Sequence, residues 1–267
     1  MTDSTAYKPT ALITGASSGI GYELARVFAD KGYNLVVVAR REELLAALAN
    51  ELAETTQVHT VVMDLSKARG PAKLFAATEA MGLQIDVLVN NAGTAYQGRF
   101  ADMSQSQIHN LLALNMRGLT DTTYEYLPGM LERGQGKILN VASVVGFQAI
   151  PGLALYSASK AFVLSFSESL AEEVRCQGVQ VSALCPGLTK TDLVNDLGTN
   201  QYPGSELFMS DARSVAREGY QALHAGETIR VTGLLNQLAV GWAEYQPRWL
   251  KRTLAGIAGR ASFAAKT

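Results

Sequence analysis

Short, continuous apolar runs alternate with amphipathic stretches along most of this chain. The runs ALIT (11–14), NLVVVA (34–39), VHTVVMDLS (58–66), IDVLVNNAG (85–93), GKILNVAS (136–143) and VQVSALCPG (179–187) are short and β-branched, so they read as buried strands. Between them, YELARVFADKG (22–32), REELLAALANELAET (41–55), 103–117 and 156–176 carry helical patterning. A further helix is expected over 210–225 and a last strand near 228–233. Strand and helix in alternation imply a doubly wound parallel sheet with helices on both faces, an α/β architecture. No internal repeat, low-complexity tract or linker interrupts it, so residues 1–267 read as a single domain.

Composition removes alternatives. Apolar residues make up 48% and charged residues 18%, ample for a core and unlike a disordered chain. The net charge of -1 argues against nucleic acid as a main partner, because a phosphate binder carries a basic surplus. Cys176 and Cys185 are too few for a disulfide framework, and His59, His109 and His224 form no cluster with them, so no metal site is expected. The N-terminus, MTDSTAYKPT, lacks the charged start and apolar core of a signal peptide. No run reaches the roughly 18–20 apolar residues of a membrane span. A cytoplasmic protein is the expectation.

Candidate chemistry gathers where the strands end. After 11–14 comes Gly15-Ala-Ser17-Ser18-Gly19-Ile20-Gly21, and then a helical pattern. In a strand–turn–helix context such glycines let backbone approach a pyrophosphate, and the helix N-terminus supplies N–H donors. The spacing is one residue longer than the common G-x-G-x-x-G form. At the end of the second strand, where an acid would select the ribose 2′-hydroxyl of NAD, stand Ala39, Arg40 and Arg41. Arg40 suits a 2′-phosphate through charge-assisted hydrogen bonds, which favours NADP over NAD. Asp64, followed by Leu65, either accepts from an adenine amino group or caps a helix starting near Ser66. Asn90, Asn91, Ala92 and Gly93 suit a wall beside a cofactor, although the two asparagines could equally stitch neighbouring strands. Asn115 sits amid Leu111, Leu112, Leu114 and Met116 and needs partners if buried. Ser143 precedes Tyr156 and Lys160, which are four residues apart and share one helix face. An ammonium there is expected to lower the phenol pKa from about 10 and fit it for proton transfer.

Taken together, TGASSGIG, Asp64, NNAG, Asn115, Ser143, Tyr156-x-x-x-Lys160 and PG followed by Thr191 resemble the classical short-chain dehydrogenase/reductase family, over residues 10–193. The resemblance implies a Rossmann-like sheet of seven parallel strands and a tetrad of Asn115, Ser143, Tyr156 and Lys160. By that analogy Ser143 and Tyr156 bind the substrate oxygen, and Tyr156 exchanges its proton. Lys160 also holds the nicotinamide ribose, and Asn115 holds a water in a relay to it. The resemblance adds Pro186, Gly187, Leu188 and Thr191 as contacts near the carboxamide, beside the cofactor contacts Gly15, Ser17, Ser18, Gly19, Ile20, Gly21, Arg40, Asp64, Leu65, Asn91, Ala92 and Gly93. No Lys or Arg stands inside the glycine motif, so NADP selection would rest on Arg40 and Arg41.

The expected function is NADP(H)-dependent interconversion of a carbonyl and an alcohol. The apolar residues Val145, Phe147, Ile150 and Leu153 suggest a hydrophobic substrate. A 3-oxoacyl-thioester reductase is the alternative enzyme, and a non-catalytic NADP sensor or scaffold the alternative of another class. Residues 192–210 are the candidate substrate lid. The extension 234–267, with Trp242, Trp249, leucines and basic residues, reads as a helix closing the pocket or a subunit contact, or as a membrane-surface segment. The resemblance also suggests a homodimer or homotetramer.

Overall fold

The computed structural model describes residues 7–193, 209–247, 249, 250, 253 and 256. Strands β1 (Thr10–Thr14), β2 (Asn34–Ala39), β3 (Val58–Val62), β4 (Val87–Asn90), β5 (Gly136–Val141), β6 (Val179–Cys185) and β7 (Ile229–Val231) form one parallel sheet in the order β3-β2-β1-β4-β5-β6-β7. This is the doubly wound sheet expected from the apolar runs. Order reverses beside β1, which pairs with β2 on one side and β4 on the other, and a crevice opens there at the carboxyl ends of the strands.

Side chains alternate across each strand, so both sheet faces need cover. One face packs Ile13, Val37, Val89 and Leu139 against Leu24 and Phe28 of helix α1 (Gly19–Asp30) and Leu45 and Leu48 of α2 (Glu42–Leu52). The other packs Leu12, Val36, Leu88 and Ile138 against Leu74 of α3 (Gly70–Ala80). It continues over Tyr126 and Met130 of α5 (Leu119–Glu132) and Leu170 of α6 (Ala154–Val174). Helix α7 (Ala212–Ala225) closes the first face through Val215, Ala216 and Leu223. Its N-cap Asp211 accepts from Ser214 N, so the helix begins two residues later than the patterning suggested.

The helical stretch expected over 103–117 is subdivided. A Ser104–Gln107 capping box starts α4 (Gln105–Leu112), a π turn spans Ala113–Gly118, and α5 continues to Glu132. Gly118 explains why the chain continues as helix: a Cβ there would lie 2.7 Å from Leu65 O, so only glycine lets the helix pass this strand end. Pro128 sits on the exposed side of α5, where the carbonyl left without an N–H partner meets water. Among the described residues no helix is long and apolar enough to cross a membrane.

Candidate active site

A cleft of about 380 Å³ runs along the carboxyl edge of the sheet, from Arg40, Arg41 and Asp64 at one end to Ser143, Tyr156 and Lys160 at the other. Its floor is the glycine turn. Gly15 and Gly19 have φ of +68° and +59°, and a Cβ on Gly21 would lie 2.3 Å from Asn91 Nδ2. These residues are glycine because left-handed backbone and close approach both exclude a side chain. Ser18, the N-cap of α1, makes no side-chain bond to the first turn. The first N–H groups of α1 are thus left for an anion, and backbone and donors together fit a dinucleotide pyrophosphate.

Thr14 and Asn91 hold this floor in place. Thr14 Oγ1 donates to Val89 O and accepts from the N–H groups of Asn91 and Ala92, at 3.0–3.1 Å. Asn91 Nδ2 donates to Thr14 O at 2.9 Å and to Gly15 O at 3.2 Å. Asn90 Nδ2 donates to Thr123 Oγ1 and to Asn140 Oδ1, both at 2.9 Å. Of the two readings of the asparagine pair, their side chains follow the stitching one; Asn91, Ala92 and Gly93 line the cleft as well. Thr14 was legible only as part of the motif, because its bridging role needs β4 beside β1.

At the far end, Arg41 is held against the glycine turn, beside Arg40. Its Nε and Nη2 donate to Ser17 Oγ at 3.1 and 2.9 Å, and Nη2 donates to Ser18 Oγ at 2.6 Å. Arg41 Nη1 also lies 3.6 Å from Asp192 Oδ2, across the cleft. Arg40 lines the same end and helps to stabilise the Asp64 carboxylate. Burial opposes charge on Asp64, but hydrogen bonds from Ser66 and the positive charge of Arg40 hold its carboxyl below the ordinary value. Asp64 Oδ1 accepts from Ser66 N at 3.0 Å and Ser66 Oγ at 2.7 Å. It therefore caps a turn at 64–66, and the helix expected to start near Ser66 begins at Gly70.

At the opposite end Tyr156 and Lys160 are 9% and 6% exposed, on the buried side of α6. Lys160 Nζ donates to Val141 O at 2.7 Å and lies 5.7 Å from the centre of the Tyr156 ring. Burial pushes the Lys160 ammonium down to about 8. Burial also pushes the Tyr156 phenol up to about 12, against the lowering effect of the Ser143 hydroxyl. The direction is opposite to the lowering expected from the lysine, because desolvation of the phenolate dominates and only Ser143 opposes it. Ser143 Oγ donates to Pro186 O at 3.3 Å and accepts from Val145 N at 3.4 Å, which ties it to the end of β6.

Asn115 lies in the π turn, 2% exposed, with its amide fully engaged. Its Oδ1 accepts from Thr94 N at 2.8 Å, and its Nδ2 donates to Thr94 O at 2.9 Å and Ser159 Oγ at 3.2 Å. It thereby fastens α6 to the loop after β4. A Cβ on Gly93 would lie 3.4 Å from Asn115 Oδ1 and 3.8 Å from Lys160 Nζ, so Gly93 is the spacer between those two residues.

Gly15, Ser17, Ser18, Gly19, Ile20, Leu65, Pro186, Gly187 and Thr191 all line the cleft. Leu188 does not; it is 40% exposed, and Thr189 takes the adjoining place in the wall. The candidate substrate residues divide. Val145 and Leu153 pack around Tyr156 with Ala95, Tyr96, Leu111 and Leu193. Phe147 and Ile150 instead line a second, apolar cavity of about 570 Å³. Ala95, Tyr96 and Leu193 gave no sequence signal, because only the packing brings them to Tyr156. Most of the candidate lid 192–210 lies outside the described residues.

A glycine turn that fits a pyrophosphate and a buried tyrosine–lysine pair share one crevice, an arrangement that suits a nucleotide-dependent oxidoreductase. Comparison with known proteins specifies the kind: this chain belongs to the short chain dehydrogenase family, whose model matches residues 9–202, and is an oxidoreductase of that type. It is 36% identical over 226 residues to sulfoacetaldehyde reductase 2 of Chromohalobacter salexigens, covering 84% of this chain and 88% of that protein. A short-chain dehydrogenase of Sphingobium yanoikuyae in complex with NADPH superposes with a TM-score of 0.79 at 32% identity, over 90% of this chain and 96% of that one. A short chain dehydrogenase/reductase of Burkholderia phymatum in complex with NAD also gives 0.79, at 27% identity, over 88% of this chain and 92% of that one.

Proposed function

We propose that this chain is an NADP(H)-dependent oxidoreductase that interconverts a hydrophobic carbonyl compound and its alcohol, with Tyr156 as the proton-exchanging group. The observation that carries the reading is the pair of buried Tyr156 and Lys160, with half-buried Ser143, opening on the same cleft as the glycine turn. The bound nicotinamide dinucleotide supplies the hydride. Gly15 to Gly21 and the N-terminus of α1 hold the pyrophosphate, and Arg41 with Arg40, Ser17 and Ser18 receives the 2′-phosphate. Ser143 and Tyr156 hold the substrate oxygen, and in reduction the Tyr156 hydroxyl gives its proton to that oxygen. Lys160 steadies the ribose side of the site, and Asn115 positions α6 through Ser159. Val145 and Leu153 form an apolar wall beside the reacting carbon.

The test follows loss of nicotinamide absorbance from NADPH and, separately, NADH over a panel of hydrophobic aldehydes and ketones, with acyl thioesters alongside. NADPH-driven turnover of the simple carbonyls is expected. Turnover confined to 3-oxoacyl thioesters would replace the substrate class, and NADPH binding with no turnover in either direction would favour the sensor reading.

The direction of reaction has its own pH signature. With its pKa pushed up to about 12, Tyr156 keeps its proton at neutral pH, the form that reduction consumes. Oxidation of the alcohol needs the phenolate, whose fraction rises about tenfold per pH unit below the pKa. The kcat/KM for NADP-driven alcohol oxidation should therefore climb from neutral into alkaline pH, while that for carbonyl reduction does not. A flat oxidation profile would count against Tyr156 as the base.

A further inference from the structure

Helix α8 (Leu234–Glu244) is inside out. Its outward positions are apolar: Leu234, Leu235, Leu238 and Trp242 are 70%, 69%, 62% and 55% exposed, and beyond the helix Tyr245 and Trp249 are 89% and 62% exposed. Its inward positions include two amides. Asn236 Nδ2 donates to Thr232 O at 2.8 Å, and Gln237 Nε2 donates to Val231 O at 2.9 Å. A Cβ on Gly187 would lie 2.3 Å from Asn236 Nδ2, so Asn236 packs directly on the loop after β6. A helix on a water-facing surface is amphipathic in the opposite sense. The bonded amides fix which way α8 faces, and the leucines and tryptophan are left as a contiguous apolar patch that marks a contact surface.

The charge of the adjoining chain says what kind of contact. From Tyr245 to the end the sequence carries Arg248, Lys251, Arg252, Arg260 and Lys266 and no acidic residue, in a chain whose net charge is -1. A second copy of this chain docking through the same face would bring like charges together. An anionic surface complements them, and tryptophan and tyrosine with their polar edges suit a lipid–water boundary. Among the described residues no helix is long and apolar enough to span a bilayer.

We propose that the outward face of α8 docks this protein on an anionic phospholipid bilayer, to which the positive charge of the sequence after it is attracted. The inference is independent of the substrate assigned above, and its test needs no turnover. The intact protein is mixed with vesicles of phosphatidylcholine alone and of phosphatidylcholine with phosphatidylglycerol, and bound protein is read by co-sedimentation. Binding to the anionic vesicles is expected, weakened by high salt and much reduced on the neutral ones. Leu238→Glu with Trp242→Glu, both on the exposed face, should weaken it at least about tenfold with far-ultraviolet circular dichroism and oligomeric state unchanged. Lys251→Glu with Arg252→Glu should do the same by charge alone. The proposal is overturned if the intact chain stays free of anionic vesicles or binds neutral ones equally well. It is also overturned if the Leu238→Glu, Trp242→Glu protein still binds, or if that protein changes from a larger to a smaller species in sedimentation velocity, which would make the face a subunit contact.

Discussion

Tyr156→Phe is expected to lower kcat for carbonyl reduction by about a thousandfold, within the 10²–10⁴ range of general acid–base catalysis. The substitution removes only the hydroxyl. The ring stays packed among Ala95, Leu111, Val145 and Leu153, and Lys160 keeps its bond to Val141 O. Only the favourable effect of the nearby Ser143 hydroxyl is lost, worth at most about 1 kcal/mol. The protein should therefore fold, melt within a few degrees of the parent and bind NADPH normally while turnover disappears. That split separates a group that moves a proton from one that supports the fold. A rate within tenfold of the parent would sink the role given to Tyr156, and a collapse of melting temperature together with rate would make it structural.

Arg41→Ala should weaken NADPH binding about 10- to 100-fold and leave NADH nearly unchanged, as expected for the loss of a charge-assisted hydrogen bond of about 1.5–3 kcal/mol. Arg41 is the stronger test because its guanidinium is already held against Ser17 and Ser18 at the mouth of the glycine turn. Arg40→Ala should have the same sign, and the double variant should approach equal use of the two cofactors. The measurement is the dissociation constant of each cofactor by fluorescence titration. Parallel weakening of NADPH and NADH would mean that Arg41 shapes the loop instead of reading the phosphate. Its ion pair with Asp192 is half-exposed and contributes little to stability, so a general loss of fold is not expected from its removal.

Much of the fold was legible because a parallel sheet buries both faces of its strands. Such strands appear as unbroken apolar runs, and the six named runs all became strands in register. Helix ends were less legible. Gly118 and Pro128 look like breakers, yet both lie in helical backbone, one because Leu65 passes too close for any side chain and the other because it faces water. At the site, the glycine turn and the spacing of Tyr156 and Lys160 were local, and local patterns survive reading. Thr14, Tyr96 and the division of Val145 from Phe147 depend on which strands and loops become neighbours.

By itself, then, the sequence determined the alternation of strand and helix, the family, and the residue types that meet at the carboxyl edge of the sheet. Those follow from periodicity and spacing, which are properties of one segment at a time. Only the tertiary structure decided that Arg41 lies over Ser17 and Ser18, and that the outward face of α8 is the apolar one. It alone also decided that Tyr156 is buried deeply enough for desolvation to drive its phenol up. The physical reason is common to all three. Desolvation and contact depend on what lies on every side of a group, and most of those neighbours are distant in sequence.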